Sequence, residues 1–97
     1  MTIAIIKLIT GEEVIGEIEI FPTHVTMINC AIVQLVPTQT GVGMSLYPFA
    51  PYAEESLFSF KNDHIITSFA PSVDLRNNYN KMFGTGIQIA TPGSLIK

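Results

Sequence analysis

Lys61, Asn62, Asp63 and His64 stand side by side, a cation, an amide, a carboxylate and an imidazole within four positions. Between them they offer donors, acceptors and a flat ring. That set suits hydrogen bonding and ring stacking at an exposed turn. The same four residues also suit a solvated hairpin corner, and the residue types alone leave both readings open. His24 is a loop residue whose ring could stack on a partner or stand as a plain exposed histidine. Asn29 lies among apolar neighbours, as a polar contact residue or as a satisfied buried amide. Tyr47, Phe49 and Tyr52 offer either an aromatic face or proline-rich interface packing, and Arg76 reads as a surface or interface residue.

No catalytic constellation accompanies these groups. His24 and His64 are far apart in the chain, and no serine or cysteine has an evident base and orienting partner. Glu12, Glu13, Glu17 and Glu19 read as a solvated strand face, with no histidine at ligand spacing. We therefore expect a protein that is not an enzyme and that needs no metal or other cofactor. Cys30 is the sole cysteine, which excludes a disulfide framework and reads as a buried reduced thiol.

The elements that position the polar quartet are strands. Leu57 to Phe69 reads LFSFKNDHIITSF: Phe58 and Phe60 share one face, Ile65, Thr67 and Phe69 alternate beyond the corner, and Asn tolerates the left-handed conformation a corner needs. Upstream, residues 3–10 form a first strand that is apolar on both faces. Gly11 to Glu13 make a turn, and residues 14–21 a second strand. Gly16 sits inside that strand, where glycine costs stability unless the strand bends sharply or lets other backbone come close. Residues 22–24 are a loop, and residues 25–36 a third strand with Val25, Met27, Asn29, Ala31, Val33 and Leu35 on one face. Residues 37–43 read as a loop by composition. Residues 44–52, with Pro48 and Pro51, read as an edge strand or extended coil. A helix follows Pro71 over about residues 73–83, with Ser72 as N-cap, Asp74 in its first turn, and an apolar stripe of Leu75, Tyr79, Met82 and Phe83. Lys81 lies in the last turn, and Gly84 suits the left-handed position after it. In the tail, an edge strand is expected at residues 87–89.

Composition bounds the function classes. The 97 residues make one domain; 47% are hydrophobic and only 13% charged, against about 25% charged in an average domain. So little charge leaves apolar patches on a small surface, and such patches mark interfaces. A homo-oligomer is the expectation. The net charge of −3, with five Lys plus Arg, argues against duplex DNA, whose binding rests on many cationic phosphate contacts. No stretch has the apolar length of a membrane span and no signal peptide is seen, so the expected compartment is the cytoplasm, of a cell or of an infected host.

Two segments carry a resemblance. KLITGEEVIGEI (residues 7–18) has, from Leu8, the pattern Leu-x-x-Gly-x-x-Val-x-Gly-x-apolar, and FKNDHI (residues 60–65) resembles an Ile-Arg-Gly-x-Asn-Ile segment. Together, in this order, they resemble the two motifs of Sm-like (LSm) proteins over about residues 5–70. The PFAPYA stretch at Pro48–Ala53 and the C-terminal helix further resemble a phage-type Sm-like group, described from cyanophages.

The resemblance implies an all-β fold: a small, strongly bent five-stranded barrel over residues 1–71, a helix over 72–84 packed on the barrel or on a neighbouring subunit, and a tail over 85–97. It implies a homo-oligomeric ring in which the fourth strand of one subunit pairs with the fifth of the next. Single-stranded RNA, often U-rich, is the partner it implies, bound around the pore. There a base stacks on a side chain from the loop before the third strand and is fixed by an Asn there and by the Arg-Gly turn. Carried over, Lys61 stands at the Arg position, keeping the charge and losing the planar fork. Asn62 stands at the Gly position and His64 at the Asn position. Phe21 matches the aromatic before the loop, and Pro22 replaces the usual Asp. Met27 and Asn29 take the Met-Asn role only with a loop a few residues longer. The RNA-binding residues so implied are Lys61, Asn62, Asp63, His64, His24 and Asn29. The alternative is an oligomeric structural or protein-interaction module of phage origin without RNA binding.

Overall fold

A computed structural model describes residues 2–83. Six strands precede one helix: β1 (Thr2–Leu8), β2 (Glu13–Ile20), β3 (His24–Thr38), β4 (Gly41–Pro48), β5 (Leu57–Lys61), β6 (Ile65–Phe69) and α1 (Val73–Phe83). A single turn of 3₁₀ helix, Asn62–His64, joins β5 to β6. Every pairing is antiparallel. The sheet runs β4-β3-β2-β1-β6, with β5 also on β3. No ladder between β5 and β6 closes the sheet among the described residues.

The first turn follows from Gly11. Leu8 N–H bonds the Glu12 carbonyl at 2.9 Å, and Gly11 N–H bonds the Leu8 carbonyl at 2.9 Å. Gly11 sits at φ 97°, where a side chain would be strained. The turn thus begins after Leu8, earlier than the alternation of residues 3–10 predicts.

β3 is the trunk of the sheet. One edge pairs with β2 over residues 25–33; the other pairs first with β5 (His24–Ile28) and then with β4 (Ala31–Thr38). The change of partner occurs at Asn29, which adopts φ 56°. The register against β2 slips there by one residue, with Ile15 opposite Ala31 and Glu17 opposite Ile28, the signature of a β-bulge. Asn29 N–H bonds the Ser56 carbonyl at 3.2 Å, while the Cys30 carbonyl accepts from Phe49 N–H at 3.0 Å. Two successive residues therefore serve the same edge, which a regular strand does not permit. The bulge also exchanges the faces. Val25 and Met27 enter one core, and Ala31 and Val33 pack against the other. The uninterrupted face predicted from Val25 to Leu35 is corrected accordingly, because one inserted residue flips every later side chain.

Gly16 lies opposite the bulge. A Cβ there would run into Met27 Cγ and come 2.9 Å from the Ile28 carbonyl. The close approach expected of a strand glycine is present, made by the Met27 side chain and the Ile28 backbone.

The predicted loop at residues 37–43 is instead the end of a hairpin, with Pro37 opposite Val42 and Thr38 opposite Gly41. Among the described residues the sheet therefore has six strands rather than the five expected. The Phe49–Cys30 bond sets the ladder's parity: even-numbered β3 residues bond β4. Pro37 thus turns its missing N–H away from β4, toward a side where β2 pairing has already stopped at Val33, so proline costs no ladder bond. Residues 44–48 lie in β4 at the sheet edge, as the prolines predict.

Two cores flank the sheet. On one face Ala4, Ile6, Leu8, Val14, Ile18, Val25, Met27 and Cys30 are buried, with Phe49, Phe58, Phe60 and Ile65 packed on them. Phe49 meets Phe58 and Phe60 edge-on, at centroid distances of 5.3 and 5.6 Å. On the other face Ile5, Ile15 and Ala31 pack beneath Leu75 and Tyr79 of α1. The helix starts as its sequence predicts: Ser72 Oγ accepts from Leu75 N–H at 3.2 Å. Tyr79 is fully buried, and its hydroxyl donates to the Asn29 carbonyl at 2.8 Å. The helix thus caps the bulge. Of the predicted stripe, Leu75 and Tyr79 are buried, Phe83 is half-buried, and Met82 is exposed. Gly84 and the strand expected at residues 87–89 lie outside the described residues.

Candidate nucleic-acid interface

The β3–β5 ladder places His24 directly opposite Lys61 and Thr26 opposite Ser59. Chain segments almost forty residues apart are thereby brought to one end of the sheet. Two bonds fasten the turn Asn62–His64 to the loop before β3: Asn62 N–H to the Thr23 carbonyl (3.2 Å) and Asn62 Nδ2 to the Pro22 carbonyl (3.0 Å). On its far side the His64 carbonyl accepts from Ile9 N–H at 2.9 Å. The turn is thus tied to the loops on both sides.

The result is a shallow, open recess lined by Pro22, Thr23, His24, Ser59, Lys61, Asn62 and Asp63, all exposed except half-buried His24. Phe21 and His24 stack, with ring centroids 4.9 Å apart and planes 14° off parallel. Thr23 Oγ1 lies 3.0 Å from His24 Nδ1, and Phe21 N–H bonds the His24 carbonyl at 2.9 Å. The imidazole is therefore held by the Phe21 ring and the Thr23 hydroxyl, and the His24 backbone by Phe21 N–H. Lys61 and Asp63 offset one another in charge, so the recess has hydrogen-bonding variety rather than net positive potential. Such a lining can hydrogen-bond a neutral polar group but lacks the uncompensated cations that a phosphate needs.

Four of the six site residues predicted from sequence, His24, Lys61, Asn62 and Asp63, meet in this recess. His64, in the same turn, is exposed and does not line it. Asn29 stands apart. It occupies the bulge, its Nδ2 lies 3.4 Å from Glu17 Oε2, and it lines a second recess of about 300 Å³ beside Phe49 and Phe83. Thr23 and Ser59 were not singled out in the sequence. Their only signal is register: Ser59 shares the strand face of Lys61, two positions away, and Thr23 abuts His24.

Cys30 is buried, and burial pushes its thiol up to about 12, so it stays protonated and offers no nucleophile at neutral pH. Burial likewise raises the Tyr79 phenol, helped by the nearby Glu17 carboxylate.

No protein-family model matches the chain, and no curated protein matches it.

Proposed function

We propose that this chain is an Sm-like protein that assembles into a homo-oligomeric ring and binds single-stranded RNA through the recess between Phe21–His24 and Lys61–Asp63. One observation carries the reading: the turn of the second resembling segment is bonded through Asn62 to the loop before β3, where the resemblance places the base-stacking side chain, and the two line one recess. His24 supplies a ring surface, Lys61 a cation, and the Thr23, Ser59 and Asp63 oxygens a choice of partners for a base edge. The path β6-β1-β2-β3-β5 around the core of Ile6, Val14 and Met27 supports a bent five-stranded barrel, to which the β3–β4 hairpin is an addition. Ring assembly is supported by the outer edges of β5 and β6. Among the described residues each strand pairs on one side only, and between them they expose Leu57, Ile66 and Phe69.

Binding of fluorescein-labelled oligo-U and oligo-A, followed by anisotropy at fixed salt, tests the reading. Lys61→Ala should weaken binding about tenfold, the scale of one charged hydrogen bond. An unchanged affinity removes the recess from consideration. The second reading, an oligomeric protein-interaction module without RNA binding, draws on Asp63 within the recess and on the net charge of −3. Retention of a ring that binds neither oligonucleotide would select it.

A further inference from the structure

From Val25 to Ala53 the chain carries no charged residue and no histidine. This stretch comprises nearly all of β3, all of β4 and the bend after it. β4 is an edge strand whose outer side is unpaired among the described residues. Edge strands are ordinarily blunted by lysine, other charges or proline; here only Pro48, at the end of the strand, does so. On the α1 side of the hairpin lies a contiguous apolar surface. Leu35 and Val42 are each 71% exposed, and Met44 and Met82 line a groove with Leu46, Asn78 and Lys81.

We propose that the β4 edge is an interface between two copies of this chain, related by a two-fold axis at Met44. The backbone specifies the register. Because even-numbered β3 residues bond odd-numbered β4 residues, it is Val42, Met44 and Leu46 that direct their N–H and C=O groups outward. Pro48 would be next and has no N–H. An antiparallel pairing that uses all three residues is centred on Met44, with Val42 opposite Leu46 of the second copy and Met44 opposite itself. The cross-strand neighbours on the α1 face are then all apolar. On the other face Gly43 meets Ser45, two small residues that let the strands approach.

The occupant is a second copy because the edge is self-complementary in hydrogen bonding and in side-chain size, the condition for a two-fold contact. β4 itself carries no charge, so its edge requires none on a partner. This interface is separate from the β5 and β6 edges and does not rest on the RNA reading.

Met44→Cys tests the geometry directly. At a two-fold axis in an antiparallel pair, equivalent Cα atoms lie about 5.5 Å apart, within the span of a disulfide. Incubated with oxidised glutathione, the full-length variant should run mainly as a covalent dimer on non-reducing electrophoresis. Wild type, whose Cys30 is buried, and Thr40→Cys, at the hairpin tip, should not. Met44→Pro is the second variant. It removes an outward N–H without touching the β3–β4 ladder, and should halve the mass found by light scattering. Phe69→Glu, on the β6 edge, should leave the covalent dimer of the Met44→Cys variant intact, so that failure of the ring and failure of this contact are told apart. Absence of that covalent dimer, or a Met44→Pro mass equal to wild type, overturns the proposal. A patch covered by a different protein or by the chain's own remaining residues would give that result.

Discussion

Tyr79→Phe isolates what the helix contributes to the bent strand. The substitution removes one oxygen and keeps the ring, its packing beneath the sheet, and its contact with Phe83 at a centroid distance of 4.8 Å. The lost oxygen donates to the Asn29 carbonyl at 2.8 Å and lies 3.4 Å from the Ile28 carbonyl. Those carbonyls belong to the bulge, where regular ladder bonding is interrupted, and Tyr79 is fully buried, so water does not readily take its place. A net hydrogen bond is worth about 1 kcal/mol, and a buried acceptor left without a donor costs about 1–3 kcal/mol. We therefore expect a loss of about 2 kcal/mol. In a domain of this size that lowers Tm by roughly 10 °C. Thermal unfolding by circular dichroism measures it, with Tyr47→Phe as the control. Tyr47 is 46% exposed, and its variant should stay within about 0.5 kcal/mol of wild type. Asn29→Gly refines the test, because glycine keeps the left-handed backbone and the carbonyl; it should cost less than Tyr79→Phe. If Tyr79→Phe melts with Tyr47→Phe, the bulge does not depend on the helix, and the argument for α1 as its cap is refuted.

Gly16→Ala should destabilise by about 1–3 kcal/mol, the usual cost of overpacking. Met27 can swing aside, but the Ile28 carbonyl at 2.9 Å is backbone and cannot; urea unfolding of Gly16→Ala alone and with Met27→Ala should show only partial relief. Cys30 sets an alkaline limit. Its folded-state pKa is raised to about 12, so the folded chain holds a proton that the unfolded chain releases near pH 9. The stability contributed is complete below about pH 9 and is lost above it at up to roughly 1.4 kcal/mol per pH unit. Urea midpoints at pH 7, 9 and 10 should fall accordingly, and Cys30→Ala should flatten the fall. In the native protein at pH 8, a thiol reagent such as dithiobis-nitrobenzoate should react only after urea is added.

The candidate site was legible as residue types but not as a place. The quartet Lys61–His64 and the loop residue His24 stand out because polar groups with ring or amide chemistry interrupt apolar alternation. Nothing local says that His24 faces Lys61, which depends on the β3–β5 register. Asn29 showed the limit most clearly. Its position among apolar residues suggested either a base reader or a buried amide. Its distinctive feature is instead its backbone at φ 56°, a conformation for which asparagine is suited and which side-chain chemistry does not announce.

Sequence alone determined most strand positions, a polar turn at Gly11–Glu13, the cap at Ser72 and the apolar stripe of α1, of which the structure buries Leu75 and Tyr79, because each depends on neighbours within a few residues: alternation, turn residues, a hydroxyl three residues before an N–H. It also marked Gly16 as a point where the strand bends sharply or other backbone comes close, without deciding between the two. Tertiary structure decided the rest. β3 takes three partners, and its bulge changes both its edge and its faces midway. Pro37 enters a ladder because its missing N–H points to an empty side. These depend on which strand lies alongside which, and pairing across tens of residues leaves no period in the sequence that could be read beforehand.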